Sequence, residues 1–264
     1  MAKQYQYGIV SIITACYNAE KYIADTINSV QNQTYHDWEM IIINDCSNDK
    51  SVEIIEKYIQ EDERIILLHT DKNSGQSVTK NKGVEAATGQ YLVYLDSDDL
   101  WDHIFLERMI HFMKEKDASL VTASYRRKTH DLSEDLGQFI VPIQMTYQST
   151  LKSCALSCLT TMYDMSKIGK YYMPILKKRP DLALWLSIFK DIPCAYGLQE
   201  VLATYRIHGG SISRNKFSAA SFQWRVYREI EKLSLLKASY YFIHYAVRGF
   251  FKNYELLKPK ANLK

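Results

Sequence analysis

Gly89-Gln-Tyr-Leu-Val-Tyr-Leu-Asp-Ser-Asp-Asp-Leu-Trp101 sets an apolar run, residues 91–95, directly against Asp96, Ser97, Asp98 and Asp99. A run that short and rich in Tyr and Val reads as a buried strand. Burying a carboxylate without compensation is costly, so a cluster of acids places the strand end at the open edge of a sheet. In open α/β sheets ligands bind beyond the carboxyl ends of the strands. Two acids spaced Asp-x-Asp at such an end suit a hard divalent cation shared with a phosphate. The competing reading is a helix N-cap, with Asp98 or Asp99 capping a helix that starts near Asp102.

Outward from this stretch the first half alternates strand and helix. Residues 8–14, 38–43, 64–69 and 91–95 are apolar strand-like runs, and 119–124 is a fifth. Helical spacing occupies 19–33, 51–60, 76–87 and 104–116, with Ser47, Asn48 and Asp49 offering cap chemistry and Gly89 a stop. Such alternation predicts a mostly parallel central sheet flanked by helices, joined by right-handed crossovers. Three strand ends then share one edge: Tyr17-Asn18, Asn44-Asp45 and Asp96-Ser97-Asp98. Residues 129–147 show no period and read as irregular. A strand is expected within 156–165, a helix at 180–190 and a short strand at 203–207.

The chain has 264 residues, enough for one large core and a small appendage. Its 47% hydrophobic and 24% charged content is that of a globular protein, and a net charge of +3 excludes little. No secretory leader pattern and no apolar stretch of about 18 residues is visible. The five cysteines, with no export signal, read as reduced thiols. Cys154 and Cys158 have no further ligands nearby and read as small buried hydrophobes rather than a zinc site.

Six segments in order carry a resemblance: Val10-Ser-Ile-Ile-Thr-Ala-Cys-Tyr-Asn18, Gln33-Thr-Tyr, Ile41-Ile-Ile-Asn-Asp-Cys-Ser-Asn-Asp49, Asn73-Ser-Gly-Gln, Lys80-Asn-Lys-Gly83 and Asp96-Ser-Asp-Asp99. Together they resemble the inverting family 2 glycosyltransferases, densely over residues 8–105 and more thinly to about 215. Asn44 stands where the family usually has the first Asp of a pair, and Lys80 where it usually has Arg, keeping the charge but losing the bidentate fork. The resemblance implies a GT-A nucleotide-diphospho-sugar transferase fold over residues 1–215, with 216–264 as a helical extension. It implies that Thr14, Ala15, Tyr17, Asn18, Asp45, Lys80, Asp96 and Ser97 bind a UDP-sugar. Asp45 would accept from the N3–H of uracil, and Asp96 would hold the ribose or the diphosphate shell. Asp98 would ligate Mn2+ or Mg2+, with Asp99 behind it.

Inversion requires one general base for the acceptor hydroxyl. The family's acid before a helix is matched by Arg179-Pro-Asp181-Leu-Ala-Leu-Trp185, which puts Asp181 in that role, unless it only caps the helix; Pro180 suits a helix start. Trp185 shares the helical apolar stripe and reads as core. Tyr205-Arg-Ile-His-Gly-Gly-Ser-Ile-Ser213 resembles the family's C-terminal loop, with Arg206 as a phosphate partner and His208 as a metal ligand or a diphosphate contact.

From residue 217 onward, basic residues interleave with aromatics at helical spacing. Three readings stay open: peripheral contact with an anionic membrane, packing back on the domain, and nucleic-acid binding, which Glu229 and Glu231 disfavour by interrupting the basic stripe. The aromatic surface would equally bury itself in a second copy. The expectation is an enzyme of the hexosyltransferase class, acting on a glycan or lipid-linked oligosaccharide at the inner face of the cytoplasmic membrane in surface-polysaccharide synthesis. A catalytically silent nucleotide-sugar binder of the same fold is the alternative. A nucleotidyltransferase or dinucleotide-binding dehydrogenase is disfavoured, because Cys16-Tyr-Asn-Ala-Glu20 lacks the glycines of a phosphate loop.

Overall fold

Four apolar runs become parallel strands: β1 (Gln6–Cys16), β2 (Trp38–Asn44), β3 (Ile65–His69) and β4 (Gly89–Tyr94). They pair in the order β3-β2-β1-β4, with Ile13 opposite both Ile41 and Tyr94. The computed structural model describes residues 5–176, 178–207 and 216–257. Both faces of these strands are apolar because both are covered. Val10, Ile12, Met40, Ile42, Tyr91 and Val93 meet one layer of helices, while Ile13, Ile41, Ile43, Leu92 and Tyr94 meet the other. The first layer contains α1 (Ile23–Gln31), α2 (Ser51–Glu61) and α4 (Phe105–Glu115); the second contains α3 (Gln76–Ala86).

The second half departs from the expected alternation. β5 (Leu100–Trp101), β6 (Leu120–Thr129), β7 (Asp135–Phe139), β8 (Gln144–Met145), β9 (Thr161–Asp164) and β10 (Ala195–Ile207) complete one sheet in the order β3-β2-β1-β4-β9-β6-β10-β5, with β7 beside β6 and β8 beside β10. β9 enters between β4 and β6 and runs antiparallel to both. It arrives from an irregular segment, so no crossover forces it to be parallel. The stretch 129–147, expected to be irregular, carries β7 and β8.

α5 (Tyr147–Lys152), α6 (Met165–Ile168) and α7 (Pro180–Ile188) follow the second-half strands, and α8 (Lys216–Arg225), a π turn (Val226–Ile230) and α9 (Leu235–Leu257) form the tail. α7 buries Leu184, Trp185 and Ile188 against the sheet layer and Leu182, Ala183 and Leu186 against Val226, Tyr227 and Ala238 of the tail. A helix apolar on every side is one covered on every side.

Two expectations about helix ends fail. α4 begins at Phe105 after Ile104, with no side-chain cap, so neither Asp98 nor Asp99 is an N-cap. α3 ends at Ala86, with Ala87 after it, and Gly89 does not stop it; a Cβ at Gly89 would lie 2.5 Å from the Ile9 carbonyl oxygen. The glycine permits close approach of β1 and β4.

Gly83 has the same task between layers. A Cβ there would meet Ile13 Cγ2 at 2.5 Å and Ile43 Cδ1 at 2.7 Å. Gly83→Val therefore overpacks the α3–sheet contact and lowers stability by about 1–3 kcal/mol, read as a shift in the urea midpoint at unchanged slope.

Candidate active site

The parallel register brings the ends of β1, β2, β3 and β4 to one edge, and the loops leaving that edge are tied to one another. Asn18 N–H donates to Ser47 Oγ at 3.0 Å, and Asn18 Oδ1 accepts from Asn48 N–H at 2.8 Å. Ala19 N–H donates to Ser51 Oγ, and Glu20 N–H to Asp49 Oδ2. Ser47, Asn48 and Asp49 thus lash the β1 loop to the β2 loop; Lys50 in the cap position of α2 makes no side-chain cap bond, but Asp49 Oδ1 accepts from the Ser51 N–H at 3.0 Å, as the expected cap chemistry implies. Asn18 sits at φ +49°, a left-handed conformation that Asn tolerates. Tyr17 is half exposed and Ala15 partly so, whereas Thr14 lies fully buried beneath them with an unpartnered hydroxyl. Ala15 and Tyr17 can line a ligand directly; Thr14 can do so only if the loop moves.

Asp45, just past β2, is buried. Its Oδ1 accepts from Thr70 Oγ1 at 2.7 Å and Ser74 N–H at 2.9 Å, and its Oδ2 from Gly75 N–H at 2.9 Å. Burial alone would raise its pKa, but the bonds from Ser74, Thr70 and Gly75 outweigh burial and hold the carboxyl below the usual range; the nearby Thr79 hydroxyl donates to the Gly75 carbonyl. Asp45 thereby fixes the chain entering α3. A carboxylate offers about four acceptor positions, so capacity remains for a further donor.

The acid loop after β4 is held from two sides by buried cations. Lys80 Nζ, on α3, lies 2.6 Å from Asp96 Oδ1, with side-chain exposures of 3% and 30%. Burial would lower the Lys80 pKa; Asp96, helped by Asp181, outweighs it and keeps the lysine charged. From the other side comes Arg206 at the end of β10. Its backbone N–H donates to Asp99 Oδ1 at 2.8 Å, Nε to the Asp98 carbonyl at 2.8 Å, Nη1 to the His130 carbonyl at 2.9 Å and Nη2 to Asp25 Oδ2 at 3.0 Å. The guanidinium also lies over the Tyr22 ring. Arg206 was expected to meet a phosphate; buried and bonded in this way, it is instead a clamp on the acid loop. Burial, with Asp98 and Asp96 adding to it, pushes the Asp99 pKa well above the usual carboxylate range, and its Oδ2 has no partner.

Asp181 occupies the first turn of α7, after Pro180 at its first position, and Arg179 precedes them at φ +61°. α7 has no side-chain cap bond, so Asp181 is not its cap. Its charge acts on both the Lys80 ammonium and the buried Cys158 thiol, which also feels Asp96. Residues from β4, α3, α7 and the segment before β9 thus converge. Ser97 and Asp98 sit half-buried between Asp96 and Asp99. His208 lies outside the described residues. Asp25, Tyr22 and His130, which brace Arg206, carry no motif; only a structure could find them.

Residues 11–164 match the profile described as "Glycosyl transferase family 2". The chain belongs to that family. A putative teichuronic acid biosynthesis glycosyltransferase of Bacillus subtilis is 44% identical over 239 residues, 90% of this chain and 94% of that one. The Escherichia coli UDP-Glc:α-D-GlcNAc-diphosphoundecaprenol β-1,3-glucosyltransferase WfgD is 33% identical over 250 residues, 93% and 95% of the two chains. In fold, the transferase is similar to S. aureus TarS in complex with UDP-GlcNAc, at TM-score 0.71 and 19% identity over 91% of this chain and 72% of that one. The GT-A expectation holds.

A divalent cation fits the site's chemistry. Asp96, Asp98 and Asp99 offer hard oxygen donors, and one carboxylate oxygen there is orphaned. Among the described residues no group of three or more His, Cys, Asp or Glu is arranged to hold a metal.

Because the folded pKa of Asp45 is depressed, its stabilisation is present above the unfolded value of about 3.9 and is lost as pH falls through the folded value. Asp45→Asn sets an amide donor against the Ser74 and Gly75 N–H groups. It should destabilise the transferase by about 1–3 kcal/mol at neutral pH. The gap from the parent protein should narrow only below pH about 4, as read by urea unfolding across pH.

Proposed function

We propose that this transferase moves a glycosyl group from a UDP-sugar to a hydroxyl of a lipid-linked glycan, with inversion to a β-linkage. The observation that carries the reading is the placement of Asp181 at the start of α7, not engaged as a cap, beside the Lys80–Asp96 pair. An acid near enough for its charge to act on a buried cation that pairs with an acidic strand end suits an enzyme that must both hold a diphosphate and take a proton. TarS, which is solved with UDP and with UDP-GlcNAc, and WfgD, whose name gives a UDP-glucose donor and a diphosphoundecaprenol acceptor, support the donor and acceptor classes.

In this mechanism Ala15 and Tyr17 line the nucleoside, with Thr14 and Asn18 shaping the loop beneath it. The remaining acceptor position of Asp45 takes the uracil N3–H. Asp96 and Ser97 hold the ribose or the diphosphate shell, and Lys80 adds positive charge beneath it. The acceptor hydroxyl attacks the anomeric carbon as Asp181 removes its proton. The bond from that carbon to the diphosphate oxygen breaks, and its electron pair leaves with UDP. One displacement inverts an α-linked donor. Asp98 and His208 would hold Mn2+ or Mg2+, which when bound neutralises charge on the departing diphosphate. Residues 1–215 form the catalytic unit, with 216–264 as its extension, acting at the inner face of the cytoplasmic membrane.

Asp181→Asn should lower kcat by roughly 10²–10⁴ and leave UDP affinity within a few fold in calorimetry; loss of UDP binding instead would give the residue a structural role. Separately, the melting temperature should rise with UDP more than with GDP, CDP or ADP, and further with Mn2+. A hundredfold excess over Kd corresponds to about 2.7 kcal/mol. A GDP preference would overturn the uracil role of Asp45, and indifference to all four nucleotides would overturn the donor site.

A further inference from the structure

The tail splits its aromatic and aliphatic residues between two faces. One face packs. Ala238 is fully buried, Tyr241 and Phe242 join the cluster on α7, and Phe242 meets Trp224 edge-on at 5.5 Å. The other face of α9 is bare: Leu236 is 84% exposed, Tyr240 50%, Ile243 63% and Val247 47%. These four recur at intervals of four, three and four, which places them on one stripe opposite 238, 241, 242 and 245. A helix with one side in water carries polar residues there. The stripe also borders a cleft of about 400 Å³ against α5, lined by Tyr147, Leu151 and Leu233.

The charge beside the stripe has one sign. Lys232 and Lys237 are exposed, and Lys152 Nζ lies 5.5 Å from the centre of the Tyr240 ring. The nearby acids are compensated: Glu229 pairs with Arg225 at 3.0 Å, and Glu231, with its side chain 1% exposed, pairs with Lys190 at 2.9 Å. No helix among the described residues is long and apolar enough to cross a membrane. An exposed apolar stripe flanked by lysines matches the interface of an anionic bilayer. A second copy fits less well, because a two-fold contact sets the same lysines near each other.

We propose that α9 lies on an anionic lipid bilayer, with Leu236, Tyr240, Ile243 and Val247 at the level of the acyl boundary and Lys152, Lys232 and Lys237 against the lipid phosphates. The inner side of the same helix reaches the site: Arg179 Nη2 donates to Tyr245 Oη at 2.8 Å, two residues before Asp181. Docking therefore sets α9 between the lipid surface and the start of α7, one helix diameter, roughly 10 Å, from the bilayer, a point that bears on catalysis through Asp181 being the base.

The test is sedimentation of the full chain with vesicles of phosphatidylcholine alone or mixed with phosphatidylglycerol. The parent protein should sediment with the anionic vesicles and release as salt rises. A Leu236→Glu/Ile243→Glu variant should bind at least about tenfold more weakly, because two aliphatic side chains no longer gain by burial. Its melting temperature and UDP affinity should match the parent's. Three outcomes overturn the proposal: no sedimentation of the parent with anionic vesicles, equal sedimentation of the variant, or a lipid-free dimer that the variant dissociates, which would assign the stripe to a second copy. A missing UDP response in both proteins would count against the donor site and leave the vesicle result standing.

Discussion

Negative charge at the buried end of β4 is the constraint around which this molecule is arranged. Three acids lie within four residues, and one of them is almost wholly buried, where a charge without compensation is costly. The fold answers from two distant parts of the chain: Lys80 pairs with Asp96 beneath the loop, and Arg206 behind it bonds Asp99 through its backbone N–H and the Asp98 carbonyl through its side chain. Each is committed to the protein itself, so the loop is held whether or not a ligand is present. The orphaned oxygen of Asp99 marks where compensation is incomplete, and that is where an incoming cation or donor gains most.

The same economy of position appears in α7. The helix lies between the sheet layer and the tail, with apolar contacts on both sides, and only its first turn is free to carry chemistry. Asp181 stands there, and Arg179, bonded to Tyr245, connects that turn to α9. The tail is thus part of the wall that holds the acid in place as well as an outer surface.

The architecture of the first half was legible because each apolar run ends at a polar strand end, and because β1, β2 and β4 present apolar residues on both faces. Their bounds lie close to those read from periodicity. The second half was not, for local reasons. β10 spans 195–207, but only 203–207 reads as strand, since Gly197, Gln199 and Glu200 interrupt the run and register shifts near Leu198 and Val201 break the alternation. β7 is exposed along most of its length and shows no period. β9 joins antiparallel strands, which a strand-helix count cannot foresee. At the site, Asp45, Lys80, Asp96 and Asp181 were identified by motif and do lie on or near one edge. Arg206 was identified as a residue and misassigned as a contact, because its partners Asp25 and Asp99 are 181 and 107 positions away in sequence.

That separation bears on how the chain reaches its folded state. β1 to β4 and their helices need only near neighbours, so the parallel half can assemble while the rest is still being made on the ribosome. Its acid loop, however, lacks one of its two ties until β10 pairs with β5 and brings the Arg206 N–H to Asp99 and its side chain to the Asp98 carbonyl. The nascent half-protein is a nucleotide-fold sheet with its most charged loop unlatched, and the latch is among the last strands to arrive.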